Sequence, residues 1–161
     1  MKVEIEKKGS LNPMPKVIVT VRDNKGNNNA LVVGYCGNCS YAPPMVMIGI
    51  VPTRYSYHMV KENGCFVVHL VLKSQKELYD VCGKQSGKDG DKLQKLGAKL
   101  IDAKLVNASI IEECPVAIEC TVVDSIMTGS HEMFIGKVEC VHAEEKYLTD
   151  GKIDMSKIDL M

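Results

Sequence analysis

The sequence predicts a mainly β protein of the α+β class, an antiparallel β-barrel with a few short helices packed on it. Three observations carry this reading. Runs rich in β-branched residues, such as 16–22 and 65–71, are separated by Asn, Asp and Gly turn chemistry. The helices that can be read between them are short, and few cross between neighbouring strands, which argues against a parallel βαβ sheet. Near the C-terminus, residues 116–123 alternate, turn at Thr128-Gly129 and return through Met133 to His142 as a long hairpin. Closing such strands into a barrel removes exposed edges.

In order, residues 1–12 are a polar lead-in broken by Pro13 and Pro15. Residues 16–22 form a strand, 23–28 a turn and 29–35 the returning strand. Residues 36–44 read as a loop ended by Pro43-Pro44. The run 45–51 is apolar throughout and reads as a strand buried on both faces. Thr53 is the expected N-cap of a short helix reaching Lys61, stopped by Asn63-Gly64. A strand over 65–71 follows. Ser74 caps a second helix whose Leu78, Val81 and Cys82 recur at helical spacing, and Gly83 ends it. A polar loop over 85–90 leads into a helix from Asp91 to Leu96. Short strands are expected around 99–101 and 108–111, and residues 149–161 form an edge element or tail.

Composition excludes some functions. The 161 residues suit one domain, taken as 1–161, with a real core. Lys+Arg and Asp+Glu are both 20, so no basic patch invites nucleic acid, and little net charge opposes self-association. No apolar run approaches the ~18 residues of a membrane span. Seven cysteines, an odd number with no secretory leader, read as reduced thiols in a cytoplasmic protein.

Several patterns are candidates for chemistry. Cys36-x-x-Cys39 suits a redox or metal pair, but no second close pair supplies two more ligands, and independent thiols are the plainer reading. No metal site is assigned. The 85–92 segment offers backbone N–H groups and two lysines to an anion, or is a solvated loop. Thr53-Arg54-Tyr55-Ser56 combines hydroxyls and a guanidinium at a helix start, or is a surface cap. His69 lies within an apolar strand and reads as a hydrogen-bonded interior group; His58 and His142 carry no assignment. His131 sits where a Gly129-Ser130 turn becomes a strand. Alternation there places Met133, Ile135 and Lys137 on one face and Glu132, Phe134, Gly136 and Val138 on the other.

Seven segments in order resemble the flavin reductase-like family, whose fold is the FMN-binding split β-barrel, with its flavoredoxin-like members nearest. They are Asn29-Ala30-Leu31-Val32-Val33-Gly34-Tyr35, Pro43-Pro44 with the strand through Ile50, Arg54-Tyr55-Ser56, Gly64-Cys65-Phe66-Val67-Val68-His69, the Cys82-Gly83 to Leu93 loop with Ser86-Gly87 and Asp91-Lys92, Glu119-Cys120-Thr121-Val122, and Gly129-Ser130-His131 through Val138. Tyr35 stands where the family often has Trp, His69 replaces an Asn, and the chain stops short of many relatives' C-terminal arms. The resemblance implies FMN at a homodimer interface, with Asn29, Tyr35, Arg54, Tyr55, Ser56, Ser86, Asp91, Lys92 and His131 around it. Arg54, Ser56 and Lys92 suit its phosphate, and strand 45–50 would wall the ring. His131 is the catalytic candidate, by contact with the ring rather than as an acid–base group. The implied activity is hydride transfer from NAD(P)H, with electrons passing to free flavin, iron(III) or another acceptor. A flavoredoxin-type electron carrier between protein partners, and a flavin-binding module without turnover, are the alternatives. No Rossmann GxGxxG is present, and the family binds nicotinamide without one.

Overall fold

β-Branched residues dominate the two strands at the heart of the sheet. Val17–Arg22 (β1) and Cys65–Leu70 (β5) lie side by side and are buried on both faces. The structure, a computed structural model, describes residues 1–9 and 11–161. Around this pair runs a seven-stranded sheet completed by Asn28–Val33 (β2), Tyr35–Tyr41 (β3), Pro44–Ile50 (β4), Val116–Met127 (β8) and Glu132–Ala143 (β9). The order is β2-β1-β5-β8-β9-β4-β3, and every pairing is antiparallel. The sheet rolls until β2 approaches β4, but the two do not hydrogen-bond. The barrel is therefore split along that seam.

Alternation fills the interior. Val17, Val19 and Val21 of β1, Phe66 and Val68 of β5, Ile48 of β4 and Phe134 of β9 meet Met59 and Val60 of the helix Tyr57–Asn63 (α1) in one core. The outer face of β1 and β2 packs Ile18 and Ala30 under the helices Lys76–Lys84 (α2) and Lys92–Lys95 (α3), beside the hairpin Leu100–Asp102 (β6) and Ser109–Ile111 (β7). Gly136 of β9 is required by close approach: a Cβ there would lie 2.5 Å from Phe66 Cζ and 2.8 Å from Cys120 Cβ.

Several expectations are corrected. Residues 36–44 are not a loop. β3 pairs with β4 from Tyr35↔Gly49 to Tyr41↔Pro44, with a register shift between Asn38 and Ser40 that leaves Cys39 as the extra residue. Pairing to a neighbour outweighs the low strand propensity of Cys-Gly-Asn-Cys-Ser. β4 is fully buried on its Val46, Ile48 and Ile50 face, whereas Met45 and Met47 opposite are half-buried, so the strand is not buried on both faces throughout. α1 begins at Tyr57 with Ser56, not Thr53, at the N-cap. Ser74 lies in a 3₁₀ turn before α2, and Gly83 lies within that helix rather than ending it. The tail is fastened beside residues 71–73: Lys73 N donates to Asp159 O and Met161 N to Val71 O, both at 2.9 Å. It also carries a two-residue hairpin, Leu148–Thr149 (β10) with Lys152–Ile153 (β11).

His69 is interior, as read. It is fully buried on the outer face of β5, with Nδ1 3.2 Å from Ile18 O and Nε2 accepting from Ile111 N at 3.0 Å. Two such partners suit the neutral ring with its proton on Nδ1. Burial lowers its pKa from 6.5 to about 4. At the mouth of β9, Glu132 accepts from Ser125 Oγ at 2.6 Å, from the Tyr57 hydroxyl and from Lys61 Nζ at 3.0 Å. The Ser125 and Tyr57 hydrogen bonds, then Lys61, hold its pKa at about 2 despite burial. Acid therefore lowers stability in two ranges of pH. From pH 6.5 towards 4 the unfolded chain gains a proton that folded His69 resists, so stability falls. Stability from Glu132 is present above pH 4.5 and is lost as pH falls towards 2. The urea midpoint is expected to drop through both ranges; a midpoint flat between pH 6.5 and 4.5 would contradict a neutral His69.

Candidate functional site

The seam of the barrel opens into a cleft of about 230 Å³. Seven of the residues singled out in the sequence line it: Asn29, Arg54, Tyr55, Ser56, Ser86, Lys92 and His131. They come from β2, the turn before α1, the loop after α2, the start of α3 and the mouth of β9. Leu31, Val32, Ile50 and Val51 give it apolar wall.

Asn29 and Ser56 are 5% and 2% exposed, and Asn29 Nδ2 donates to Ser56 Oγ at 2.6 Å. Ser56 makes no capping bond to its own helix. Among the described residues its hydroxyl proton has no acceptor, so it is open to one in the cleft. Lys92 is 3% exposed; its Nζ donates to Gln85 O at 2.7 Å and Cys82 O at 3.1 Å. An ammonium has three protons, so one remains. Desolvation pulls the Lys92 pKa below the usual lysine value. Arg54 is exposed and has no side-chain hydrogen bond or ion pair among the described residues. The cluster thus lines a partly apolar cleft with two cations and hydroxyls, a donor set suited to a phosphate.

Glycines line the same cleft at positions 34, 49, 83 and 87. A Cβ on Gly87 would lie 2.4 Å from Tyr55 Cδ1 and 2.9 Å from Asn29 Oδ1, and one on Gly49 would lie 2.7 Å from Met133 Sδ. Bare backbone therefore forms part of the wall, where a ligand can approach it closely. His131 is held by its turn: Thr128 Oγ1 and N donate to its carbonyl at 2.8 and 2.9 Å, and Ser130 Oγ lies 2.7 Å from Nδ1. That leaves Nε2 without a hydrogen bond among the described residues.

Two site residues take other places. Tyr35 begins β3 and is half-exposed, outside the cleft lining; its ring stands edge-on to His131, centroids 4.7 Å apart. Asp91 turns away to cap α3, accepting from Leu93 N at 3.0 Å and Gln94 N at 2.9 Å. It positions Lys92 instead of facing the cleft. The Cys36–Cys39 pair is not assembled: all seven cysteines are free, Cys36 packs against the core, and Cys39 is exposed at the bulge. Burial pushes the Cys82 thiol to about 11 and Cys114 and Cys120 to about 12, away from nucleophilic chemistry. The sequence reading missed the glycine wall, for which small residues flanking each motif were the only signal. It also missed Glu132, whose partners lie 7 to 75 positions away.

Residues 10–154 match the flavin reductase like domain. The chain belongs to this family. The family member is 29% identical to the flavoredoxin of Methanosarcina acetivorans, with a TM-score of 0.92 over 99% of this chain and 84% of that one. It is 26% identical to the flavoredoxin of Desulfovibrio vulgaris (Miyazaki F), with a TM-score of 0.88 over 95% and 82%. An uncharacterized protein of Archaeoglobus fulgidus is 30% identical over 129 residues, 80% of this chain and 72% of that relative. The split-barrel class expected from the sequence is thus borne out. Among the described residues no helix is long and apolar enough to cross a membrane.

Proposed function

We propose that this flavin reductase-like protein binds FMN in the seam cleft and works as an oxidoreductase. The observation that carries the reading is the convergence of Arg54, Lys92, Ser56 and Ser86 beside an apolar wall. The residues present fit the group: cations and hydroxyls for a dianionic phosphate, Leu31, Val32, Ile50 and bare glycine backbone for a flat ring, and Asn29 for a polar edge. FMN bound there would supply hydride and electron transfer. The chain's part is to hold the phosphate, exclude water along Leu31 and Ile50, and set His131 Nε2 and the Tyr35 ring at the open side, where a second substrate would enter. NAD(P)H is the proposed hydride donor, with free flavin, iron(III) or another acceptor receiving the electrons.

A homodimer with FMN near the interface belongs to the same proposal. Tyr35 and Tyr41 on edge strand β3, with Val123, Ile126 and Met127 on β8, are exposed and apolar, which supports a second copy covering this side. Seven free thiols support a cytoplasmic setting.

A second reading, an electron carrier without NAD(P)H turnover, is favoured by the two flavoredoxin neighbours. Anaerobic addition of NADH or NADPH to the FMN-loaded protein separates the two. Bleaching of the flavin absorbance at catalytic rates is expected. Bleaching by dithionite alone would favour the carrier, and no flavin spectrum after reconstitution would sink both.

A further inference from the structure

The long β8–β9 hairpin carries a second cluster of ligand-type side chains, none of which lines the cleft. Glu119 on β8 pairs with Cys140 on β9, and Ala117 pairs with His142. Cys140 and His142 are two residues apart on one strand and so project from the same face. Glu119, Cys140 and His142 each bring a ligand atom within 4.8 Å of the others. Glu119 is fully buried. Its Oε1 accepts from Lys104 N at 2.7 Å, and its Oε2 from Leu105 N at 2.7 Å and Val106 N at 3.2 Å. His142 Nε2 lies 2.5 Å from Oε1. Among the described residues no lysine or arginine pairs with Glu119, and the Cys140 thiol has no hydrogen-bond partner.

We propose that Glu119, Cys140 and His142 bind one divalent cation of borderline softness, zinc being the type case, with the fourth position open to water. The donor set is one sulfur, one nitrogen and one oxygen, a mixture that zinc accepts in tetrahedral geometry. Zinc bond lengths place such donors roughly 3.4–3.6 Å apart. Side-chain rotation of Cys140 and His142, both half-buried, closes the thiol's gap and opens the imidazole–carboxylate contact to that spacing. The cation takes the Nε2 lone pair of the imidazole tautomer that carries its proton on Nδ1, and the thiol releases its proton to solvent on binding. The three backbone N–H groups on Glu119 fix the carboxylate in advance, as the outer shell of a metal site does. A cation there would compensate a buried charge and tie the hairpin to the turn at 104–106.

The test is a Co(II) titration of the reduced, chelator-treated protein, read as difference spectra. One equivalent per chain is expected to give a thiolate-to-cobalt charge-transfer band with tetrahedral d–d bands, all abolished by added Zn(II). Cys140→Ser should remove the charge-transfer band, and His142→Gln should weaken Co(II) binding by more than about tenfold. Both variants keep Glu119, and circular dichroism checks that they fold. No thiolate band in the wild type, or a band that persists in Cys140→Ser, overturns the proposal; the latter assigns the metal to other thiols.

Discussion

Lys92→Met is expected to weaken FMN binding by about ten- to a hundredfold while leaving the protein folded. The range follows from ~1.5–3 kcal/mol for a hydrogen bond to a charged group, with 1.4 kcal/mol per factor of ten. Lys92 reaches the cleft from a buried position at the start of α3, where Asp91 caps the helix and the carbonyls of Cys82 and Gln85 steady the ammonium. Methionine keeps the unbranched apolar stem and the volume, and loses the charge. Gln85 is exposed, so water can replace the ammonium at its carbonyl. Quenching of FMN fluorescence gives the affinity and a thermal melt gives the fold. Unchanged affinity would remove Lys92 from the site.

Phe134→Ala is expected to cost about 3–5 kcal/mol of stability, the range for emptying a buried aromatic position. Phe134 is 1% exposed near the start of β9. The Tyr57 ring packs against it at 5.9 Å between centroids, and Lys61 Nζ lies 5.9 Å over its face. Its neighbours Glu132 and Gly136 share the inner face and are fixed by α1 and by Phe66, so the site has little room to collapse. The same strand carries His131 to the cleft, so FMN affinity should fall along with the urea midpoint. A loss below about 1 kcal/mol would contradict a core centred on this ring.

The two faces of β9 were legible because alternation is a local rule: Glu132, Phe134 and Gly136 share one face as the pattern says, and the structure shows it to be the inner one. The strands of β1 and β5 were legible from their β-branched runs. β3 was not, because its polar, glycine-bearing residues are held in the sheet by β4 and not by their own propensity. The candidate site was legible as residue types: Asn29, Arg54, Ser56, Ser86, Lys92 and His131 converge from five separate segments. What sequence could not separate was ligand contact from support. Asp91 looks the same in the sequence whether it faces an anion or caps a helix, and only the bonds to Leu93 and Gln94 decide. Likewise Glu119 meets Cys140 and His142 through strand pairing, which the Cys140-x-His142 spacing alone does not announce.

The central claim is that the seam cleft recognises FMN through its phosphate. Equilibrium titration of the cofactor-free protein with FMN and, separately, with riboflavin tests this most directly. The expected result is one FMN per chain and riboflavin bound at least about tenfold more weakly, since it lacks the group that Arg54 and Lys92 would hold. Equal affinity for the two, or no binding of either, would contradict the account.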